Sequence, residues 1–140
     1  MKILVPVDGS PYTKRALAYL AAHEEWLGPQ HRYTLLHAIP QVPPRAAAVI
    51  DKATLKQYYD DEAEKVFKPI RTFFVKQNLD AEYLSKVGHA AEVIAAVGEK
   101  GDYDLVLMGS HGHGSLGNLV LGSVANKVLA HTKLPVLLIR

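Results

Sequence analysis

The chain has 140 residues, with sixteen Lys plus Arg against fourteen Asp plus Glu, 49% apolar side chains, 21% charged ones and a mean hydropathy of +0.01. That balance describes one globular domain spanning residues 1–140 and excludes disorder, which needs low hydrophobicity and high net charge. The absence of Cys excludes a disulfide framework, a thiolate metal site and a Cys nucleophile, and a net charge of +2 is too small to suggest a nucleic-acid partner.

Lys2–Val7 (KILVPV) is a β-branched run without alternation, as a strand buried on both faces requires. It meets Asp8 before a signal-type apolar region develops, and no run approaches the roughly 18 apolar residues of a membrane span, so a cytoplasmic protein is expected. Asp8-Gly9-Ser10-Pro11 reads as a turn feeding a helix, with Ser10 as cap and Pro11 in its first turn. Ala16, Leu17, Leu20 and Ala21 supply the apolar stripe, and Gly28-Pro29 end it. Tyr33–Ile39 is a second strand. Residues 41–50, containing Pro43-Pro44, read as a surface loop.

From Asp51 to about Gln77, Leu55, Tyr59, Ala63, Val66 and Ile70 recur at helical spacing, with a kink or break expected at Pro69. Ala81–Val87 is a more polar strand, suited to an edge. Ala90–Val97 is a helix closed by Gly98, Tyr103–Met108 a fourth strand, Ser123–Thr132 a short helix and Pro135–Ile139 a fifth strand. Strands alternating with helices imply a five-stranded parallel sheet covered on both faces, an open three-layer α/β/α sandwich. Ligands of such sheets bind beyond the carboxyl ends of the strands where the winding reverses. That directs attention to Asp8 and to the segment after Met108.

Five of the ten glycines fall between Gly109 and Ser123, in GSHGHGSLGNLVLGS. Glycine admits positive φ and lets main-chain N–H groups approach a phosphate, and the following helix turns its free N–H groups and positive dipole end toward the loop. Leu116, Leu119, Val120 and Leu121 argue against a disordered linker. Residues 105–140 contain Lys127, Lys133 and Arg140 but no Asp or Glu, while residues 1–104 carry thirteen basic and fourteen acidic side chains. An anion is favoured in the last quarter of the chain.

Gly112, Gly114 and Gly117 satisfy the dinucleotide spacing G-x-G-x-x-G, but no acidic residue follows to hold a ribose. Asn118-Leu119 stand where a P-loop needs Lys and Ser or Thr. His111 and His113 as a metal pair lack a third ligand in sequence. Ser123 with His111 or His131 lacks the oriented third group of a nucleophile–base pair. No catalytic residue is assigned.

The spacing Gly109-x-x-Gly112-x9-Gly122-Ser123 resembles the nucleotide-binding motif of the universal stress protein family. KILVPVDGS, the LLHA of the second strand, DLVLMGSHG and the closing LPVLLI resemble the family's strands, so the resemblance covers nearly the whole chain, least over residues 40–80. It implies a Rossmann-like fold of the adenine nucleotide alpha hydrolase-like type. It also implies bound ATP, or AMP or ADP, with Mg2+ or Mn2+ on the phosphates. By that resemblance Pro6 and Val7 line the base pocket and the Ala38 backbone meets the adenine edge. Asp8 contacts the ribose or adenine side, although capping its own turn is the other reading of this carboxylate. Met108 and Gly109 floor the ribose. Gly112, Gly122, Ser123, Val124 and Ala125 hold the phosphates, with His111 nearby. Ala38 is smaller than the valine common in the family, and His89 stands where a helix-capping type is expected. The resemblance further implies a homodimer paired through Val136–Ile139. The functional reading is a regulatory ATP-binding protein of the stress response with slow or absent hydrolysis. The alternatives are an ATP-consuming phosphotransferase or ATPase on the same sheet, and a non-nucleotide interaction module.

Overall fold

A computed structural model describes residues 1–113, 118 and 120–140. Five strands, β1 (Lys2–Pro6), β2 (Arg32–Ile39), β3 (Ala81–Val87), β4 (Leu105–Gly109) and β5 (Val136–Ile139), form one sheet in the order β3-β2-β1-β4-β5. Every pairing is parallel. The order reverses between β1 and β4, which meet at Ile3–Leu105 and Leu4–Val106. The fold class read from the sequence is the fold observed.

Alternation along β1 explains the three layers. Ile3 and Val5, with Leu35 and Leu107, face α1 (Pro11–Ala22), α2 (Glu24–Leu27) and α4 (Lys52–Lys76), whose Leu17, Leu20, Leu27, Phe67, Ile70 and Phe74 complete that core. Leu4, with Leu36, Val106 and Met108, faces α5 (Ala90–Lys100) and α6 (Ser123–His131) through Ala91, Ile94, Ala125 and Val128. Both faces of the central strands are covered, hence the unbroken apolar runs. β3 is an edge strand, as its polarity suggests.

Several boundaries differ from the sequence reading, each for a physical reason. α1 ends at Ala22 rather than at Gly28. At this end the His23 imidazole sets Nδ1 2.8 Å from the Tyr19 carbonyl, the His23 amide bonds Leu20 O, and a separate turn, α2, follows. The loop over residues 41–50 contains a one-turn helix, α3 (Pro44–Ala47). α4 runs unbroken through Pro69. That proline lies on the exposed side, while Ala63, Phe67, Ile70 and Phe74 hold the opposite face in the core. α5 passes through Gly98 and is capped at Gly101. Gly98 is buried in α5, where a Cβ would lie 3.2 Å from Leu134 Cδ1, and the turn that stops the helix uses Asp102 at φ +52°.

Candidate functional site

The carboxyl ends of β1, β2 and β4 and the amino ends of α5 and α6 surround a cavity of about 610 Å³, within the range of small-molecule sites. Every site residue expected from the sequence borders it: Pro6, Val7, Asp8, Ala38, Met108, Gly109, His111, Gly112, Gly122, Ser123, Val124 and Ala125. The topology brings them together, because β1 and β4 are adjacent at the winding reversal although their ends lie about a hundred residues apart in sequence.

The cavity wall carries two kinds of residue. Leu36, Ala38, Pro40, Ala90, Ile94 and Met108 give it an apolar wall. Asp8, Thr13, Gly112, His113, Gly122 and Ser123 give it a polar one. Among the described residues α6 begins on Gly122 with no side-chain cap, and its first turn holds no acidic residue. The Gly122 amide is committed to Ser110 O at 2.8 Å. The amides of Ser123, Val124 and Ala125, in the first turn, have no intrahelical acceptor. By contrast, Ser10 caps α1 through Thr13 N and Asp51 caps α4 through Thr54 N.

Asp8 sits two residues beyond β1 and ties three segments. Its Oδ1 accepts from Ser10 N at 2.9 Å and from Thr13 Oγ1 at 3.0 Å, and its Oδ2 accepts from His113 N at 3.3 Å. Burial opposes its ionisation, but the Ser10 bonds, the Thr13 hydroxyl and the nearby His113 outweigh burial and hold the carboxyl below 3.8. The turn-capping role of Asp8 is therefore present in the fold, together with a tether to the β4–α6 loop that the sequence did not suggest.

The glycines of this loop serve close approach. A Cβ on Gly109 would lie 2.6 Å from Tyr12 Cβ, one on Gly112 2.5 Å from Asp8 Oδ2, and one on Gly122 3.1 Å from His111 Cα. Among the described residues only Gly9 and Gly88 are glycines with positive φ. Gly114, Gly117, Leu116 and Leu119 lie outside the described residues.

Sequence reasoning missed Thr13 and His37 as parts of this wall, and considered His113 only beside His111. Thr13 could have been found as the residue three beyond the Ser10 cap. His37 gives no local signal: its ring reaches across from β2 to set Nδ1 2.8 Å from Val7 O. His113 sets Nε2 2.8 Å from Asp8 O. His111 Nδ1 lies 2.8 Å from Ser110 Oγ, and its ring packs 4.9 Å from that of Tyr12. The pairing of Ser123 with His131 is ruled out by geometry, since eight helical residues separate them by about 12 Å. Among the described residues no group of three or more His, Cys, Asp or Glu is placed to hold a metal, and no helix is long and apolar enough to cross a membrane.

Comparison with known proteins gives the lineage. A universal stress protein of Thermus aquaticus is 38% identical over 99% of this chain and 97% of its own. The solved structure of MJ0577 of Methanocaldococcus jannaschii superposes with a TM-score of 0.76 at 26% identity, covering 99% of this chain and 94% of that one. An Arabidopsis thaliana family member with AMP bound gives a TM-score of 0.69 at 18% identity, covering 99% and 90% of the two chains. A universal stress protein in complex with cAMP gives 0.65 at 20%, covering 100% and 97%. The universal stress protein family pattern matches residues 1–140 throughout, and the chain belongs to that family.

Proposed function

We propose that this chain is an adenine-nucleotide-binding regulatory protein of the stress response, with ATP as ligand and slow or absent hydrolysis. One observation carries the reading: one cavity is lined both by apolar side chains suited to a base and by the first turn of α6, which has no side-chain cap among the described residues. A helix N-terminus without cap or carboxylate favours phosphate. Family members of the same fold that hold AMP or cAMP support adenine nucleotide as the ligand class. In this reading Pro6, Val7 and Ala38 meet the base. Asp8, Met108 and Gly109 meet the ribose. Gly112, Gly122, Ser123, Val124 and Ala125, with His111, meet the phosphates. A divalent cation would arrive on the phosphate oxygens, since no metal-holding group of side chains is present among the described residues.

Slow turnover fits the chemistry of the wall. Among the described residues it presents no Lys or Arg, and its one carboxylate, Asp8, already accepts at least three hydrogen bonds. Nucleotide function would then lie in changing a surface, in the cytoplasm, of a homodimer paired along β5. That edge strand has only β4 as neighbour and half-buried Val136, Leu137 and Leu138. Sedimentation that gives a monomer at high protein concentration would remove the dimer.

The test is mass analysis of small molecules released by denaturing the purified protein, followed by calorimetric titration with ATP and Mg2+. Saturable binding is expected, lost in Gly122→Val, whose side chain would collide with the His111 and Ser110 backbone, and weakened in Asp8→Ala. A flat trace with folded wild-type protein refutes the reading. Rapid metal-dependent hydrolysis would favour the enzymatic alternative.

A further inference from the structure

Thr13 lines the cavity together with Asp8, and its one hydroxyl proton is already committed. The Asp8 amide donates to Thr13 Oγ1 at 3.1 Å, and Thr13 Oγ1 donates to Asp8 Oδ1 at 3.0 Å. An ionised carboxylate only accepts, so the hydroxyl proton must point at Oδ1 and is not offered to a ligand. Thr13 is 5% exposed and held at the start of α1, where its own amide bonds Ser10 Oγ at 3.4 Å. We infer that Thr13 is a positioning residue, which locks the Asp8 carboxylate so that one oxygen, Oδ2, reads one sugar hydroxyl of the nucleotide. This inference rests on the reading in which Asp8 meets the ribose.

The hydrogen bonds around Asp8 determine which oxygen is left. A carboxylate offers about four acceptor positions, two on each oxygen. Oδ1 takes Ser10 N at 2.9 Å as well as the Thr13 hydroxyl, and both of its positions are filled. Among the described residues Oδ2 takes one donor, His113 N, through a longer bond of 3.3 Å. One position on Oδ2 is therefore left for a donor from the ligand. Gly112 keeps that oxygen approachable, since a Cβ there would lie 2.5 Å from Oδ2.

A carboxylate with both oxygens open can grip two neighbouring hydroxyls of a ribose at once. Thr13 closes that option by occupying Oδ1. It also fixes the carboxylate plane, because a β-branched side chain in a helix has few χ1 choices and its hydroxyl holds both the amide and the carboxylate of Asp8. Without the hydroxyl, the Asp8 amide loses its acceptor, the carboxylate keeps two of its three bonds, and it can turn about Cβ–Cγ. Selectivity for the sugar would then fall even though Asp8 is still present.

Calorimetric titration with ATP, 2′-deoxy-ATP and 3′-deoxy-ATP tests this in the wild type, Thr13→Val, Thr13→Ser, Asp8→Ala and the Asp8→Ala, Thr13→Val double variant. In the wild type one of the two deoxy analogues is expected to bind about tenfold more weakly than ATP, having lost a hydrogen bond to a charged acceptor. Asp8→Ala and Thr13→Val should each shrink that penalty to about threefold or less, while Thr13→Ser, which retains the hydroxyl, should keep it. Thr13→Val should add nothing to Asp8→Ala, because Thr13 acts through Asp8. A threonine that serves only the fold would weaken all three ligands alike and leave their ratios unchanged. Thr13→Ala replaces Thr13→Val should the valine variant not fold.

A wild type that binds all three ligands alike, penalties for both analogues that Asp8→Ala relieves together, or a Thr13→Val protein that keeps the wild-type penalty overturns the inference and leaves nucleotide binding standing. Failure of both Thr13→Val and Thr13→Ala to fold also overturns it, by placing Thr13 in the fold alone. Failure of ATP to bind the folded wild type overturns the nucleotide reading, and this inference with it.

Discussion

Asp8→Asn separates the structural work of this carboxylate from its charge. The wild-type group takes two donors on Oδ1, Ser10 N and Thr13 Oγ1, and the His113 amide on Oδ2. An asparagine in the same rotamer keeps a carbonyl oxygen at Oδ1 and turns an NH2 toward the His113 amide. The flipped amide turns its NH2 against Ser10 N instead, while the Thr13 hydroxyl can rotate to accept from it. Either arrangement loses one charge-assisted bond, to the His113 amide or to the Ser10 amide. Bonds to charged groups contribute about 1.5–3 kcal/mol when buried and less when half-exposed, as here, so the expected loss is about 1–2 kcal/mol at neutral pH. The pH dependence has a definite sign. Burial raises the Asp8 pKa, but Ser10, Thr13 and His113 together bring it below 3.8. A carboxyl depressed on folding contributes stability above its unfolded value, and that contribution is lost as pH falls through the folded value. Urea unfolding followed by circular dichroism should therefore show a constant gap between wild type and variant from about pH 7 to 5, closing below about 4. A variant as stable as wild type at neutral pH, or a gap that widens on acidification, refutes the account.

Tyr33 is buried, its hydroxyl donates to the Leu27 and Gly28 carbonyls, and burial pushes its pKa up to about 12. Its contribution is complete below 10 and is lost as pH rises toward 12, so Tyr33→Phe should cost about 1–2 kcal/mol at neutral pH and reduce the alkaline loss of stability, read by urea unfolding across that range. Pro69→Ala restores a helix amide within α4 at an exposed position and should raise the thermal midpoint; a lowered midpoint would show that the proline ring is needed. Gly109→Ala places a Cβ against the Tyr12 side chain and backbone, and should cost about 1–3 kcal/mol by forcing α1 away from β4; an unchanged thermal midpoint would refute that close contact.

The strands were legible because each buried run is short, β-branched and bounded by turn residues. KILVP, LVLMG and VLLI carry that signal in their own residues. Boundaries set by a competing side chain were not legible. Nothing in AAHEEW states that the His23 ring will take the Tyr19 carbonyl, because the ring geometry exists only once the helix has formed. Gly98 read as a stop because glycine often is one, yet α5 runs through it and packs its backbone beside Leu134, which arrives from another segment. The same division runs through the site. The residues grouped at the β1 and β4 ends followed from topology, whereas His37 and His113 reach the Val7 and Asp8 carbonyls just beyond β1, from β2 and from the β4–α6 loop. Such contacts depend on sheet register and leave no spacing in the sequence.

The glycines carry the clearest consequence. Their clustering suggests a loop freed for unusual φ and for phosphate. At Gly109, Gly112 and Gly122 the backbone is instead pressed against Tyr12, Asp8 and the Ser110–His111 segment, with no positive φ at any of the three. The glycine spacing therefore records how tightly this loop lies on α1 and the end of β1. A chain could keep that packing, and that spacing, without binding any anion. What distinguishes an anion site is the set of amides left over, and here those belong to Ser123, Val124 and Ala125 on a helix that starts without a cap. A side chain that caps α6 without touching a glycine is thus the more discriminating perturbation. Gly122→Asp would both supply a capping carboxylate to those amides and repel phosphate, but it would also strain the loop at His111. Ser123→Glu adds negative charge to the first turn at an exposed position and leaves the packing alone. It should stabilise the free protein by about 0.3–1 kcal/mol through the helix dipole while lowering ATP affinity. Thermal denaturation and calorimetry on the same sample would then move in opposite directions. Retained ATP affinity in a stabilised Ser123→Glu variant would mean that the phosphates lie elsewhere than on α6.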